Sequence, residues 1–548
     1  MENFEPSSFA LLLTGFAVLL AASAVLSQAS ETTGVPVVLL FLVLGMLAGR
    51  EGIGRLSFDN YPFCFNMGTV ALVLILFDGG FNTPLARLRE GMKPAAMLAT
   101  AGVIGTAGLV GLCARLLGFS WMESFLLGAI VSSTDAAAVF SVLRTSLQLK
   151  RRVAIILELE SGLNDPVAVT LTIALTESLL EHQPLRVATL MQIPSALVAG
   201  GVFGIAIGYA GRSLLSRTRL PAGGLYPVLT LALAFIAFGP PALLHASGFL
   251  AVYIAAIVIG NGPMPYRGGI ARVHDSIAWF CQVSMFLLLG LLVTPSQLLK
   301  VAPAGLGVGL FLAFVARPLT VMVCLLPFHY PMREVLYIGW TGLRGAIPII
   351  LATYPVLARV KGAQELFNTV FFVVVVNTLV PGASLRWMTS WMGLRSDEPP
   401  PPHALLEIIS TRVLRGAKVL SFSISASVAV CGAAIGEMPL PDGSAVILLI
   451  RDDELIAPNS SIVLARNDHV YWRATPRMNP LSACSSDRQK LGKTDGLRPP
   501  SPTSPRTPPS SGTLNSRSGP SPDRGWRTSD ALHFIRFRYS RFHVRILG

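Results

Sequence analysis

Charge is what this sequence has least of. Only 13% of its 548 residues are charged, against 52% hydrophobic, where a soluble domain carries about 25% charged residues. With a mean hydropathy of +0.60, the chain cannot present a solvated surface all round. Cysteine is scarce too. Cys64, Cys113, Cys281, Cys324, Cys431 and Cys484 are scattered, mostly in apolar runs, with no CxxC and no metal-ligand spacing. They read as small buried hydrophobes. No basic stretch precedes the first apolar run, where Glu2 and Glu5 stand instead, so that run is not a typical signal peptide. Nothing resembles the carbonyl filter TVGYG, which argues against a selective channel pore. No enzyme activity and no cofactor are expected. The net charge of +13 is not a nucleic-acid signal either: from Arg473 onward lie fourteen basic and four acidic residues, so most of the excess belongs to the tail.

What the chain has in abundance is long apolar segments. A membrane-spanning helix needs about 20 mainly apolar residues. Thirteen candidates lie near 9–28, 34–50, 62–80, 94–116, 120–143, 151–178, 188–211, 224–241, 243–261, 274–293, 302–326, 332–357 and 366–387. Within 224–261, Gly239-Pro240-Pro241 reads as a turn or a kink. His245 and His274 are expected in loops or at the interface. Thirteen spans put the two termini on opposite sides. The loops on the C-terminal side carry thirteen Lys/Arg against seven on the other, which predicts a cytoplasmic C-terminus.

After Trp391 the pattern changes. Residues 1–392 form the transmembrane part and a linker at 393–402 contains a proline run. The stretch 403–475 alternates like short strands (LLEIIS, VLSFSISAS, SAVILLI, SIVLA, HVYW), as in a small α+β domain. Residues 476–548 form a basic Ser/Pro-rich tail expected to be disordered for want of apolar surface. Two readings of that tail stand: a native one, whose last residues could touch an anionic membrane surface, and an out-of-frame one.

An ionisable residue inside a span costs a few kcal/mol and reads as functional by default. Asp78 lies in LILFDGGF, Asp135 in VSSTDAAAVF, Glu158, Glu160 and Asp165 in LELESGLNDPVAV, Arg317 in FVARPL and Arg344 in GWTGLRGAIP. In the sixth span Glu160 and Asn164 share one helical face; Ser161 and Asp165 share the adjacent one. Pro166 removes a backbone donor and Gly162 weakens the helix. A loosened polar patch is therefore expected there, offering a carboxylate, an amide, a hydroxyl and free carbonyls to a hard alkali cation. Ser132, Ser133, Thr134 and Asp135 interrupt the fifth span in the same manner. Each acidic residue has a bland reading as well: Asp135 as a helix cap, Asp78 as an interfacial group, Glu160 and Arg344 as a structural ion pair. Arg317, just before Pro318, is expected to cap or pair locally, and Glu158 has no assignment.

STDAAAV, ESGLNDPVAV and GLRGAIP, in this order, resemble the motifs of NhaP-type monovalent cation:proton antiporters. The Asn164-Asp165 pair resembles the branch called electroneutral, and LILFDGG with the appended domain is similar to bacterial potassium/proton antiporters carrying a TrkA C-terminal domain. The resemblance implies an α-helical polytopic membrane protein of about thirteen transmembrane helices, with inverted repeats and broken crossing helices. It implies a homodimer in the bacterial inner membrane and a nucleotide or small-molecule regulator at the appended domain. It makes Asp165 the carrier of H+ or cation, with the alkali cation at Asp165 and Asp135. Thr134, Ser161 and Asn164 complete the site, Asp78 lies on the pathway, and Glu160 pairs with Arg344. The basic tail departs from relatives that continue into another folded domain.

The expected mechanism is competition at one carboxylate. Desolvation favours its protonated form and a bound cation favours its charged form. One carboxylate exchanging one proton for one monovalent cation moves no net charge. K+ against Na+ stays open at this point, because oxygen ligands alone do not separate them. The rivals from other classes are a gated cation channel and a non-transporting membrane sensor.

Overall fold

The computed structural model describes residues 6–33, 36–143, 149–180, 187–396, 418–424, 432–437, 445–451, 454–465, 468–474 and 545–547. The chain divides into two units, Met1–Glu398 and Pro399–Gly548.

The described residues of the first unit are mostly helical. Its helices are α1 (Pro6–Thr33), α2 (Val37–Ala48), α3 (Tyr61–Phe81), α4 (Leu85–Met97), α5 (Val103–Leu116), α6 (Trp121–Ile130), α7 (Ala136–Leu143), α8 (Arg151–Leu180), α9 (Val187–Arg217), α10 (Leu225–Leu243), α11 (Gly248–Gly260), α12 (Arg267–Leu292), α13 (Pro295–Phe311), α14 (Arg317–Leu325), α15 (Met332–Trp340), α16 (Ile347–Leu357) and α17 (Ala363–Trp391). Each of the thirteen predicted spans has its helical counterpart among the described residues. A π-helical turn, Leu98–Gly102, joins α4 to α5, and another, Leu312–Ala316, joins α13 to α14. The fifth and twelfth spans are each two short helices separated by non-helical backbone, at 131–135 and 341–346.

These irregularities recur in one order. A helix with a π-helical turn, a broken helix and a long helix run from Leu85 to Leu180, and the same succession runs from Pro295 to Trp391. Seven spans separate the two starts, so the two sets enter the membrane from opposite faces. Lipid offers no partner for backbone groups, so non-helical chain at this depth must be covered by protein. The two breaks cover one another: the Asp135 amide donates to the Leu343 carbonyl at 2.8 Å.

Three details depart from the sequence reading. α8 runs unbroken through Pro166, so the loosened backbone comes from the two breaks and not from the sixth span. α10 continues through Pro240 and Pro241 to Leu243, which places the turn at 244–247. His274 is not in a loop. It is buried in α12, with Nε2 2.8 Å from the Thr230 hydroxyl and its ring against Phe77 and Phe81.

The second unit contains β1 (Lys418–Ser423), β2 (Ala445–Arg451), β3 (Glu454–Ile456), β4 (His469–Ala474) and β5 (Arg545–Leu547), in the antiparallel order β3-β2-β4-β1-β5. Three expected strands appear as β1, β2 and β4, while SIVLA supplies an isolated bridge between Val463 and Ala434. The end of the basic tail, Arg545–Leu547, pairs with β1. The strand expected at 405–410, the proline run at 399–402 and the tail from 476 to 544 lie outside the described residues. Ile424, Ile435, Leu449, Leu464 and Val470 make the core of this unit. Asp468, fully buried, accepts from Arg451 Nε at 2.8 Å and Nη2 at 2.7 Å, and from the Ala465 amide at 2.7 Å.

The ion pair that pins α8 to α14 is Glu160 with Arg317, at 2.5 Å, the side chains 1% and 3% exposed. The expected partner, Arg344, forms no hydrogen bond through its guanidinium among the described residues. The correction has a geometric reason. The π-helical turn ends on Arg317, and a Cβ on Gly342 would lie 2.8 Å from Arg317 Nε. The first glycine of GLRG thus leaves room for the Arg317 side chain to lie across it. Removing one partner of a buried pair strands the other, at a cost of about 3–5 kcal/mol. Glu160→Ala and Arg317→Met are each expected to lower the thermal midpoint sharply in detergent. Combined, they should cost about 2 kcal/mol less than their sum. Strict additivity would remove the pair. In the second unit, Arg451→Met is expected to make the region around β2 and β4 sensitive to limited proteolysis, because it strands Asp468.

Candidate functional site

The break at 131–135 leaves backbone groups to be satisfied from neighbouring helices. α8 supplies them. Ser161 Oγ donates to the Thr134 carbonyl at 2.8 Å and accepts from the Ala136 amide at 3.2 Å. Asn164 Nδ2 donates to Thr134 Oγ1 at 2.6 Å. The two faces that the sequence spacing separated are thus both used, one residue of each bonding the same break.

Asp135 caps α7: its Oδ1 accepts from the Ala138 amide at 3.1 Å. An acidic residue at this place also suits the positive end of a helix dipole. Its other oxygen lies against the second break, where a Cβ on Gly345 would collide with Oδ2. The two glycines of Gly342-Leu343-Arg344-Gly345 therefore each make room for one polar side chain, Arg317 and Asp135. The second break is tied down in turn by Thr378 on α17, whose hydroxyl donates to the Arg344 carbonyl at 2.8 Å.

Asp165 sits beside this crossing, 4% exposed. Its Oδ1 is buried and accepts no hydrogen bond among the described residues, and the same holds for Asn164 Oδ1. The charges that bear on Asp165 are those of Asp135 and Arg344. Arg344 is fully buried and lies in the fields of Arg317, Glu160 and Asp165. Thr134, Asp135, Ser161, Asn164 and Asp165 therefore come together as one group, with Arg344 next to it.

Asp78 is elsewhere. It lies in the last turn of α3, its Oδ1 2.9 Å from the Asn82 amide nitrogen that donates to it, and Asp275 on α12 is the charge that bears on it. Among the described residues no hydrogen bond or ion pair joins it to Asp165. Glu158, unassigned by sequence, pairs with Arg87 at 2.8 Å across α8 and α4. Sequence reasoning did not place the Leu343 carbonyl or Gly345 at the site. Both lie in the quoted GLRGAIP motif, but only the crossing of two distant breaks brings them to Asp135.

The sodium/hydrogen exchanger, transmembrane family model matches residues 18–391. The chain is 39% identical over 471 residues to the K(+)/H(+) antiporter NhaP of Alkalimonas amylolytica, covering 85% of this chain and 81% of that protein. It is 38% identical over 460 residues to the K(+)/H(+) antiporter NhaP2 of Shewanella baltica, covering 82% and 79%. With the Na(+)/H(+) antiporter NhaS2 of Synechocystis the identity is 28% over 345 residues, covering 60% and 62%. In fold it is similar to the sodium proton antiporter MjNhaP1 from Methanocaldococcus jannaschii, with a TM-score of 0.61 at 21% identity, covering 71% of this chain and 100% of that one. Similarity in sequence along most of the chain and in fold over 71% of it agree: this is a multi-pass membrane protein of the sodium/hydrogen exchanger family, a cation:proton antiporter and not an enzyme.

Proposed function

We propose that this antiporter exchanges K+ for H+, with Asp165 holding the two by turns. The observation that carries this reading is that two acceptor oxygens beside the crossing, Asp165 Oδ1 and Asn164 Oδ1, are buried and accept no hydrogen bond among the described residues. Buried polar atoms are ordinarily paired, so these two are fitted to something that arrives from outside. A proton on Asp165 and a cation across both oxygens are the two species that suit acceptors without donors.

Charge counting supports the same reading. Asp135, Glu160, Asp165, Arg317 and Arg344 cluster at the crossing. Three carboxylates and two guanidiniums leave one net negative charge when all are ionised. One proton or one monovalent cation brings the group to neutrality, and an uncompensated charge is what a membrane interior tolerates least. The empty, charged site then crosses poorly, and exchange is coupled. Asn164 contributes an oxygen without a second titrating group. Thr134, Ser161 and Asp135 hold the breaks in register and present further oxygens. The relatives whose names specify K+ share 38–39% identity along most of the chain, and K+ is preferred to Na+ on that ground. Sodium is the second reading, favoured by the name of the more distant NhaS2.

The same reading places the protein in a bacterial inner membrane as a homodimer, with a cytoplasmic C-terminus on the side of the basic loops. It serves cation, pH and volume homeostasis there. Residues 1–392 are the exchanger, 393–402 the linker, and 403–475 a TrkA C-terminal-like domain that takes a nucleotide or small regulator. Asp78 belongs to the approach to the site rather than to the site itself.

In everted vesicles, Asp165→Asn is expected to abolish cation-driven proton movement, read by a fluorescent ΔpH probe against K+, Na+, Rb+ and Li+. Normal exchange in that variant would sink the assignment. Asn164→Ala is expected to raise the half-saturating cation concentration about tenfold, equivalent to about 1.4 kcal/mol of lost binding. An unchanged half-saturation would take Asn164 out of the ligand set.

A further inference from the structure

Glu158, Gly162 and Asp165 stand at i, i+4 and i+7 of α8, so they form one stripe along its face. From Glu158 to Gly162 the stripe climbs about 6 Å, and from there to Asp165 about 4.5 Å. It runs from solvent to interior: the Glu158 side chain is 28% exposed, while Asp165 is 4% exposed. At the Arg87 end, Glu158 offers an acidic mouth partly covered by its guanidinium partner.

The middle of this stripe is blocked. Tyr253 of α11, 2% exposed, presses its ring onto Gly162. A Cβ added at Gly162 would lie 2.6 Å from both Cε2 and Oη of that ring. The carboxylates on either side, Glu158 and Asp165, both bear electrostatically on the phenol, which turns toward Thr83 at the end of α3. Its own backbone is held in place too, because a Cβ on Gly80 would sit 2.6 Å from the Tyr253 carbonyl. α11 packs chiefly on α9, α3 and α10, while α8 packs chiefly on α4 and α6. Tyr253 and Gly162 therefore face each other across the seam between two helical groups.

We propose that Tyr253 is the gate of this exchanger on the Glu158 side. Its ring, lodged in the notch that the missing side chain of Gly162 provides, closes the route from Glu158 to Asp165. Access requires the two residues to part, so movement of α8 along α11 and opening of the site are one event. Gly162 is required because any side chain there holds the seam apart. The proposal rests on Asp165 being the carrier, and it adds the residue that controls when the carrier meets solvent.

The test uses the full chain in proteoliposomes and a water-soluble carbodiimide, with modification of Asp165 read by mass spectrometry of its peptide. Tyr253→Ala is expected to raise Asp165 modification several-fold, while Tyr253→Phe, which keeps the ring, leaves it at the wild-type level. Gly162→Ala is expected to lower turnover about tenfold with little change in the half-saturating cation concentration. Gly162→Ala combined with Tyr253→Ala should recover most of that turnover, because the smaller residue makes room for the methyl group. A folded Tyr253→Ala protein with wild-type modification of Asp165 overturns the gate. So does a double variant no faster than Gly162→Ala alone. If Tyr253→Ala does not fold, Tyr253→Leu takes its place in both arms. An active Asp165→Asn protein overturns the carrier instead, so the two failures are told apart.

Discussion

The structure depends on one constraint: two stretches of chain leave the helical conformation at a depth where no water can satisfy them. Every group near the crossing answers to it. The breaks at 131–135 and 341–346 bond to each other through Asp135 and Leu343. What they leave over is taken by side chains from the two long helices, Ser161 and Asn164 from α8 and Thr378 from α17. The half-helices α7 and α16 start at this point and α6 and α15 end there, so dipole ends of both signs converge. Charged side chains can be held so deep because these ends, and each other, compensate them.

Glycine does as much here as charge does. Gly342 and Gly345 admit Arg317 and Asp135 into the crossing, and Gly162 admits Tyr253 to the face of α8. In each case a missing side chain lets a bulky or polar neighbour approach the backbone. That is why the polar cluster stays compact in surroundings that penalise every unneeded ångström between opposite charges.

Much of this was legible in the sequence, and the boundary of legibility is physical. The thirteen spans could be read because apolar length is a property of each segment alone. The grouping of Thr134, Ser161, Asn164 and Asp165 could be read because helical spacing and a recognisable motif order both point there. Pairing was harder. Glu160 has two buried arginines within reach of the same region, and spacing along the chain cannot say which one a π-helical turn swings toward it. The choice fell on Arg317. The two π-helical turns leave no compositional mark, and His274 gave no hint that Thr230 and two phenylalanines would enclose it. Pro166 misled in the opposite direction: its missing donor leaves the Gly162 carbonyl without its usual partner, yet α8 keeps its course because neighbours on both sides hold it.

The balance of three carboxylates against two guanidiniums has a consequence for the energy source. A loaded core that is neutral crosses the membrane without feeling the voltage. Moving one elementary charge through 100 mV is worth about 2.3 kcal/mol, and under the proposed one-for-one exchange that contribution is absent whichever ion is aboard. Such an exchanger draws only on differences in concentration. In a cell whose proton-motive force is stored mostly as electrical potential, only the cation gradient is left to drive it, and loss of that potential leaves the exchange itself unchanged.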